Sequence, residues 1–278
     1  MQVVYSWEKE DQNQRSWIKF AFDPDVKGLF FSDRGGREEN QDAWGWAQAV
    51  DGSLILVVAD GLGGHAGGRV ASREAIRGCL EASFQEQFDG LDVRSLEGMI
   101  MAGHRAICEA QKDRPDISFM RSALLILIIK GYQLRWGHTG DVRLHLVRKG
   151  AVIRQTKDQS VPQMLVDAGM IQASEIRGHP DRNRLLQALG DIKQPPHPDL
   201  KGEAFLEPGD FLAMSTDGFW EWVDEDWLAS TAACNDPLES LMDAEKLLRG
   251  RAPASGEEFD NYTAVFLART PYPTGKTE

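Results

Sequence analysis

The chain has 278 residues, 42% of them hydrophobic, which is enough for a substantial core in one domain or two. Lys and Arg number 31 against 43 Asp and Glu, a net charge of −12 that argues against capture of nucleic acid or an anionic membrane by a basic surface. The opening MQVVYSWEKEDQNQR lacks the apolar run of a signal peptide, and the longest apolar stretch, ALLILII at 123–129, is well short of the roughly 18 residues of a membrane span, so a cytoplasmic enzyme is the expected class.

Residues 1–16 are polar and without clear period, and read as an extension or edge element. WIKFAFD and GLFFSD read as strands split by the turn signal PDVKG. DAWGWAQA and SLILVVA pair across VDGS as a hairpin. Residues 71–88 place Ala75, Cys79, Leu80 and Phe84 near helical spacing, and residues 95–112 repeat the pattern with Leu96, Ile100, Ile107 and Ala110. Four strands follow, ALLILIIK, QLRWGHTG, VRLHLVR and AVIRQT, joined by the tight turns GY, GD and KG. That spacing points to antiparallel pairing. VPQMLVDAG reads as a short helix stopped by Gly169, and the polar segment 170–200 as a surface flap. EAFL, DFLAMST and YTAVFLA are strands, and DPLESLMDAEKLLRGRA is a helix capped by Asp236 with Pro237 at its first position. The expected fold is α+β, a layered sandwich of antiparallel sheets with helices outside. Cys79, Cys108 and Cys234 are few and scattered, so neither a disulfide framework nor a zinc site is expected; Cys79 and Cys108 read as core fillers.

One stretch carries most of the chemistry. VVADGLGGHAGG, residues 57–68, ends a hydrophobic strand with Asp60 and then runs into glycines. Two readings compete: glycines that admit a pyrophosphate to a helix N-terminus, or glycines that let Asp60 and a bare carbonyl reach a metal ion. Gly61-x-Gly63-x-x-Ala66 fits the looser dinucleotide fingerprint, but the acid expected about 20 residues on would be Glu81, inside a helical pattern, and Asp60 would repel the phosphates. The metal reading gathers more of the sequence. Asp42, Asp141, Asp217 and Asp260 also stand at strand ends. Each alone reads as a turn residue. Five such acids brought together would repel one another without cations, and hard oxygen ligands suit Mg²⁺ or Mn²⁺.

The ordered segments SDRGGREENQDAW, VVADGLGGHAGG, GHTGDVRLHLVRKG, HPDRNRLLQALG, LEPGDFLAMSTDGFW and DNYTAVFL resemble those of the bacterial metal-dependent serine/threonine phosphatases, the protein phosphatase 2C family, over about residues 28–268. The resemblance implies a four-layer αββα sandwich of two mainly antiparallel sheets. It also implies a domain over 28–270, with an extension and first strand at 1–27, a flap at about 160–195 and a tail at 271–278. In that family Asp60 would bridge two Mn²⁺ or Mg²⁺ ions and Gly61 would offer its carbonyl to one. Asp217 and Asp260 would complete the first site, Asp42 would serve the second, and Asp141 with Asp217 would hold a third, weaker ion. Arg37 would hold the substrate phosphate, with a surface ion pair as its alternative. His65 would protonate the leaving alkoxide, or simply pack at the helix start. Asn261 would orient Asp260 or a water, or cap its strand. Gln41 stands where Glu is common, Arg121 where a small Gly-Thr pair is usual, and Gln159 where His is usual. Arg121 would narrow the site or add a second phosphate contact. The implied reaction is in-line attack by a metal-activated water on phosphoserine or phosphothreonine, without a phosphoenzyme. The implied partners are phosphorylated proteins, among them a serine/threonine kinase and its substrates. A phosphoprotein-binding regulator with little turnover and a hydrolase of small phosphoesters are the rival readings.

Overall fold

The structure is a computed structural model that describes residues 2–231, 236–255 and 260–270. Its strands in chain order are β1 (Val3–Tyr5), β2 (Ser16–Asp23), β3 (Val26–Asp33), β4 (Asp42–Gln48), β5 (Leu54–Leu62), β6 (Arg121–Lys130), β7 (Gln133–Thr139), β8 (Arg143–Arg148), β9 (Ala151–Gln155), β10 (Asp199–Phe205), β11 (Phe211–Ser215) and β12 (Tyr262–Arg269). The helices are α1 (His65–Ala82), α2 (Val93–Asp113), α3 (Val161–Asp167), α4 (Asp217–Trp220), α5 (Glu225–Thr231) and α6 (Pro237–Ser255). One sheet has the order β1-β4-β5-β6-β7-β10, the other β2-β3-β12-β11-β8-β9, and all their pairings are antiparallel.

Three hydrophobic layers follow from the two-residue period of the strands. On β5, Leu54, Leu56 and Val58 point between the sheets, while Ile55, Val57 and Ala59 point to the helices. β6 repeats the division, with Leu125 and Leu127 inward and Leu124, Ile126 and Ile128 outward. Both faces are buried, which is why these strands read as unbroken apolar runs. α1 and α2 supply Ile76, Leu80, Leu96 and Ile100 to the outer layer of the first sheet. α5 and α6 supply Leu228, Leu241 and Leu248 to that of the second, against Phe211 and Phe266. The αββα sandwich is therefore the observed fold.

Several boundaries differ from the sequence reading. α1 begins at His65, inside the glycine run, and ends at Ala82; Phe84 and Phe88 still pack on the same core beyond the helix. The polar first residues contribute β1, which pairs Val3–Tyr5 with Ala47–Gly45 at a sheet edge. The flap is pinned by the isolated bridges Ser122↔Leu189 and Ser160↔Leu185. Two short helices, α4 opening at Asp217 and α5 after it, stand where no helix was expected. Cys234 and the tail 271–278 lie outside the described residues.

Candidate active site

The same strand period carries a polar cluster into the end of the inter-sheet core. Asp60 lies two residues beyond Val58, and Asp42 two residues before Trp44, both of which face between the sheets. The β4–β5 register sets Asp42 opposite Asp60. From the second sheet, Thr216 follows Leu212 and Met214, Thr263 precedes Val265, and Ser32 follows Phe30, all on the inward face. At one end of the sandwich leucines thus give way to hydroxyls and carboxylates. Thr216 Oγ1 donates to Asp42 Oδ2 at 2.7 Å and accepts from Thr263 N at 3.0 Å. Thr263 Oγ1 lies 2.7 Å from Ser32 Oγ, to which Asn40 Nδ2 donates at 2.9 Å. This hydroxyl chain fixes Asp42 across both sheets.

The glycine run makes room for backbone. A Cβ on Gly61 would collide with the Gly68 carbonyl, and one on Gly68 would strike Gln41 Oε1 and, at 2.5 Å, Gly61 O. α1 therefore lies directly against the end of β5 and against Gln41, whose own carbonyl accepts from Gly61 N at 3.2 Å. Between strand and helix, Gly63 (φ 126°) and Gly64 (φ 66°) take conformations that glycine adopts without strain.

Asp42, Asp60, Asp141, Asp217, Asp260 and Arg37 line one cavity of 540 Å³. Asp42 and Asp141 are buried, while Asp60, Asp217 and Asp260 are partly exposed toward it. Burial pushes Asp42 up to about 8 against the Thr216 hydrogen bond, and Asp217 and Asp260 add to the rise. Asp60 is held well above the carboxylate range by burial and then by Asp217, Asp42, Asp141 and Asp260. Asp141 is raised by burial and by Asp217. Asp217 is pushed to about 6, chiefly by burial and then by Asp260, against hydrogen bonds from Gly218 and Asp60. Among the described residues no three His, Cys, Asp or Glu side chains form a ready-made ligand cage. The donor set nevertheless fits divalent cations. These hard oxygen donors repel one another around one space, and added positive charge is what relieves such repulsion.

Arg37 meets this cluster at its rim. Its Nε and Nη2 donate to Asp260 Oδ1 and Oδ2, each at 3.0 Å, with both side chains 42% exposed. The expected phosphate-holding guanidinium is thus paired with one of the expected ligands, because that carboxylate is the anion a bidentate fork finds here.

Asp141 is mounted on a rigid support. Trp220 Nε1 donates to its carbonyl at 3.0 Å. The guanidinium of Arg143 lies 3.5 Å from the centre of the Trp220 ring and forms a buried bidentate pair with Asp158 at 2.9 and 2.8 Å. Gln159 ties the preceding turn to the flap: its Oε1 accepts from Gly140 N at 3.0 Å and its Nε2 donates to His197 O at 2.9 Å. Asn261 acts as a loop clamp, with Oδ1 accepting from Gln41 N and Nδ2 donating to the carbonyls of Arg34 and Glu39. Its backbone N, not its side chain, meets Asp260 Oδ1, at 2.8 Å. His65 opens α1, but its side chain lies outside the described residues. Arg121 does not line the acidic cavity; it lines a neighbouring cleft.

The sequence reading missed Thr216, Arg182 and Glu221. Burial, then the charge of Asp217, pushes Glu221 to about 7, and Arg182 Nε from the flap donates to it at 2.8 Å. Thr216 precedes Asp217 in the sequence, but its partner lies 174 residues away, and no local pattern encodes that.

A four-layer sandwich with clustered carboxylates at the end of its inter-sheet core is the architecture of the metal-dependent phosphatases. Residues 32–250 match the family model for protein phosphatase 2C, and the chain belongs to that family. It is similar to the serine/threonine protein phosphatase PstP of Mycobacterium tuberculosis, 31% identical over 249 residues, which cover 89% of this chain and 46% of that protein. The chain therefore spans about half the length of this relative. The protein phosphatase PhpP of Streptococcus pneumoniae is 29% identical over 237 residues, covering 84% of this chain and 92% of PhpP. A solved structure of the PstP catalytic domain in complex with two manganese ions matches with a TM-score of 0.71 at 27% identity, covering 88% of this chain and 98% of that one. No helix among the described residues is long and apolar enough to cross a membrane.

Proposed function

We propose that this protein is a metal-dependent phosphatase of phosphoserine and phosphothreonine in proteins, acting in the cytoplasm against a bacterial serine/threonine kinase. The observation that carries this reading is the cluster of Asp42, Asp60, Asp141 and Asp217, whose carboxyls are all held above their ordinary range around one cavity. The names of the similar proteins and the two manganese ions of one of them support it. Asp60, Asp217, Asp260, Asp42 and the Gly61 carbonyl would hold a pair of Mn²⁺ or Mg²⁺ ions, and Asp141 with Asp217 a third. When bound, such ions supply the Lewis acidity that activates water near neutral pH.

The chain's own residues do the rest. Thr216 holds Asp42 in one orientation through the hydroxyl chain. The guanidinium of Arg37 offers two parallel donors to phosphoryl oxygens at the cavity rim, the geometry it now uses on Asp260. Asn183 and Leu185 of the flap form part of the cavity wall. His65, next to the cavity-lining Gly63 and Gly64, is assigned the proton for the leaving alkoxide.

Turnover of a phosphothreonine peptide and of p-nitrophenyl phosphate tests this. Activity is expected with Mn²⁺ or Mg²⁺, to vanish with chelator and not to return with Ca²⁺, whose looser coordination suits the site poorly. Full activity in excess chelator overturns the metal reading. Binding of phosphopeptide without turnover favours the regulator, and equal or better use of small esters favours the small-ester hydrolase.

A further inference from the structure

Arg121 is the departure from the family pattern that the catalytic reading leaves unused. It opens β6 and pairs across the sheet with Leu62, two residues beyond Asp60. Its side chain turns away from the acidic cavity and lines a cleft of 740 Å³. Leu185 lines both spaces, so cleft and cavity adjoin across that one side chain. The flap supplies the other walls, with Leu186, Gln187, Pro195 and His197 among them. Leu186 is 49% exposed, an apolar surface at the mouth.

Among the described residues Arg121 is the only Lys or Arg that lines this cleft. Its Nη1 donates to the Met120 carbonyl at 3.0 Å. Its carboxylate partner is Asp191, with Nη2 to Oδ2 at 3.6 Å, longer than a hydrogen bond. Asp191 is itself engaged through Oδ1 by the backbone N of Lys193 at 2.9 Å and of Gln194 at 3.2 Å. The pair is partly exposed, at 25% and 37%, and a loose pair of that kind contributes little. A guanidinium so held exchanges partners at small cost, and a carboxylate entering from the cleft is the partner it is shaped to take.

We propose that this cleft receives the polypeptide on one side of the phosphorylated residue, and that Arg121 selects an acidic side chain there. The inference rests on the phosphatase reading and adds the substrate class to it. The two spaces share a wall, and an extended chain advances about 3.3 Å per residue, so the positions nearest the phosphate on either side are the ones to test.

The test compares phosphothreonine peptides that differ only by Glu or Gln at each of the three positions before and after the phosphothreonine, with Mn²⁺ present. The readout is the ratio of kcat/KM between Glu and Gln peptides, which is internal to each protein variant. The wild-type protein is expected to favour Glu about tenfold at one or two adjacent positions on one side, a difference of about 1.4 kcal/mol. Arg121→Gln is expected to bring that ratio to about one, and Asp191→Asn to enlarge it. In the wild-type protein alone, raising the salt is expected to shrink the ratio. A ratio near one at every position, or an unchanged ratio in Arg121→Gln with a normal melt, overturns the proposal. Peptides turned over without discrimination strike only this inference, whereas no turnover of any peptide or of p-nitrophenyl phosphate strikes the phosphatase reading itself.

Discussion

Replacing Gly68 with alanine adds one methyl group and tests whether the carboxylate cluster depends on α1 lying directly on β5. In a helix the change alone is worth about 0.8–1 kcal/mol in favour of alanine. Gly98 of α2 measures that term by itself, because a Cβ there meets nothing within 4 Å. Gly98→Ala is expected to raise Tm by about 2–4 °C for a domain of this size. At Gly68 the new Cβ meets Gln41 Oε1, the Gly61 carbonyl at 2.5 Å and Gln41 Cδ at 2.8 Å. Two of these three atoms belong to a side chain that can move, but the third is backbone. Overpacking of this kind costs about 1–3 kcal/mol, so the net change runs from neutral to a loss of about 2 kcal/mol, up to about 8 °C. The functional effect is larger than the thermal one, because the atom displaced is the Gly61 carbonyl beside Asp60. Thermal melts of both variants and turnover of a phosphothreonine peptide across a Mn²⁺ titration are the assays. The expected result is a folded Gly68→Ala protein with turnover down by at least about tenfold, an amount that about 1.4 kcal/mol supplies. A Gly68→Ala protein as active as wild type and stabilised as much as Gly98→Ala would refute the close-contact account.

Asp141→Asn is expected to leave a folded protein that keeps its two core metal sites but turns over markedly more slowly, because an amide is a poorer ligand for a hard cation. Near-normal turnover at every Mn²⁺ concentration would make Asp141 a turn residue. Arg37→Ala is expected to lower kcat/KM by about 10–150-fold, the worth of a charge-assisted hydrogen bond of about 1.5–3 kcal/mol, without raising the Mn²⁺ requirement. Loss of Mn²⁺ affinity in parallel would show that its pair with Asp260 is structural. In chelator, Asp42 (about 8) and Asp217 (about 6) have folded-state values above the unfolded carboxylate, so the folded protein holds more protons between about pH 4 and 8. Their contribution to stability is present at low pH and is lost as pH rises. Tm in chelator is therefore expected to fall by on the order of 5 °C from pH 5.5 to 8, and Mn²⁺ to reverse the trend. A Tm that is flat or rising over that window in chelator would count against the burial and, after it, the mutual repulsion that raise these carboxyls.

What could be read along the chain was what local chemistry dictates. The apolar runs ALLILIIK and YTAVFLA, the turns between strands, and acids set at strand ends are properties of neighbouring residues, and six ordered segments carried the family resemblance and its sandwich fold. α4 and α5 were illegible because DGFWEWVDED is too short and too irregular to show a helical period; the burial of Phe219 and Leu228 against the second sheet makes helix there. The glycines of 61–68 announced a close approach but not its object, since Gly68 meets Gly61 only after the chain has folded back on itself. The hold of Thr216 on Asp42, the grip of Arg37 on Asp260 across 223 residues, and the turning of Arg121 into a cleft walled by the flap were decided by the stacking of the two sheets. Such contacts depend on register and on the distance between layers, and the energy that selects them is the packing of the whole core, to which no short stretch of sequence has access.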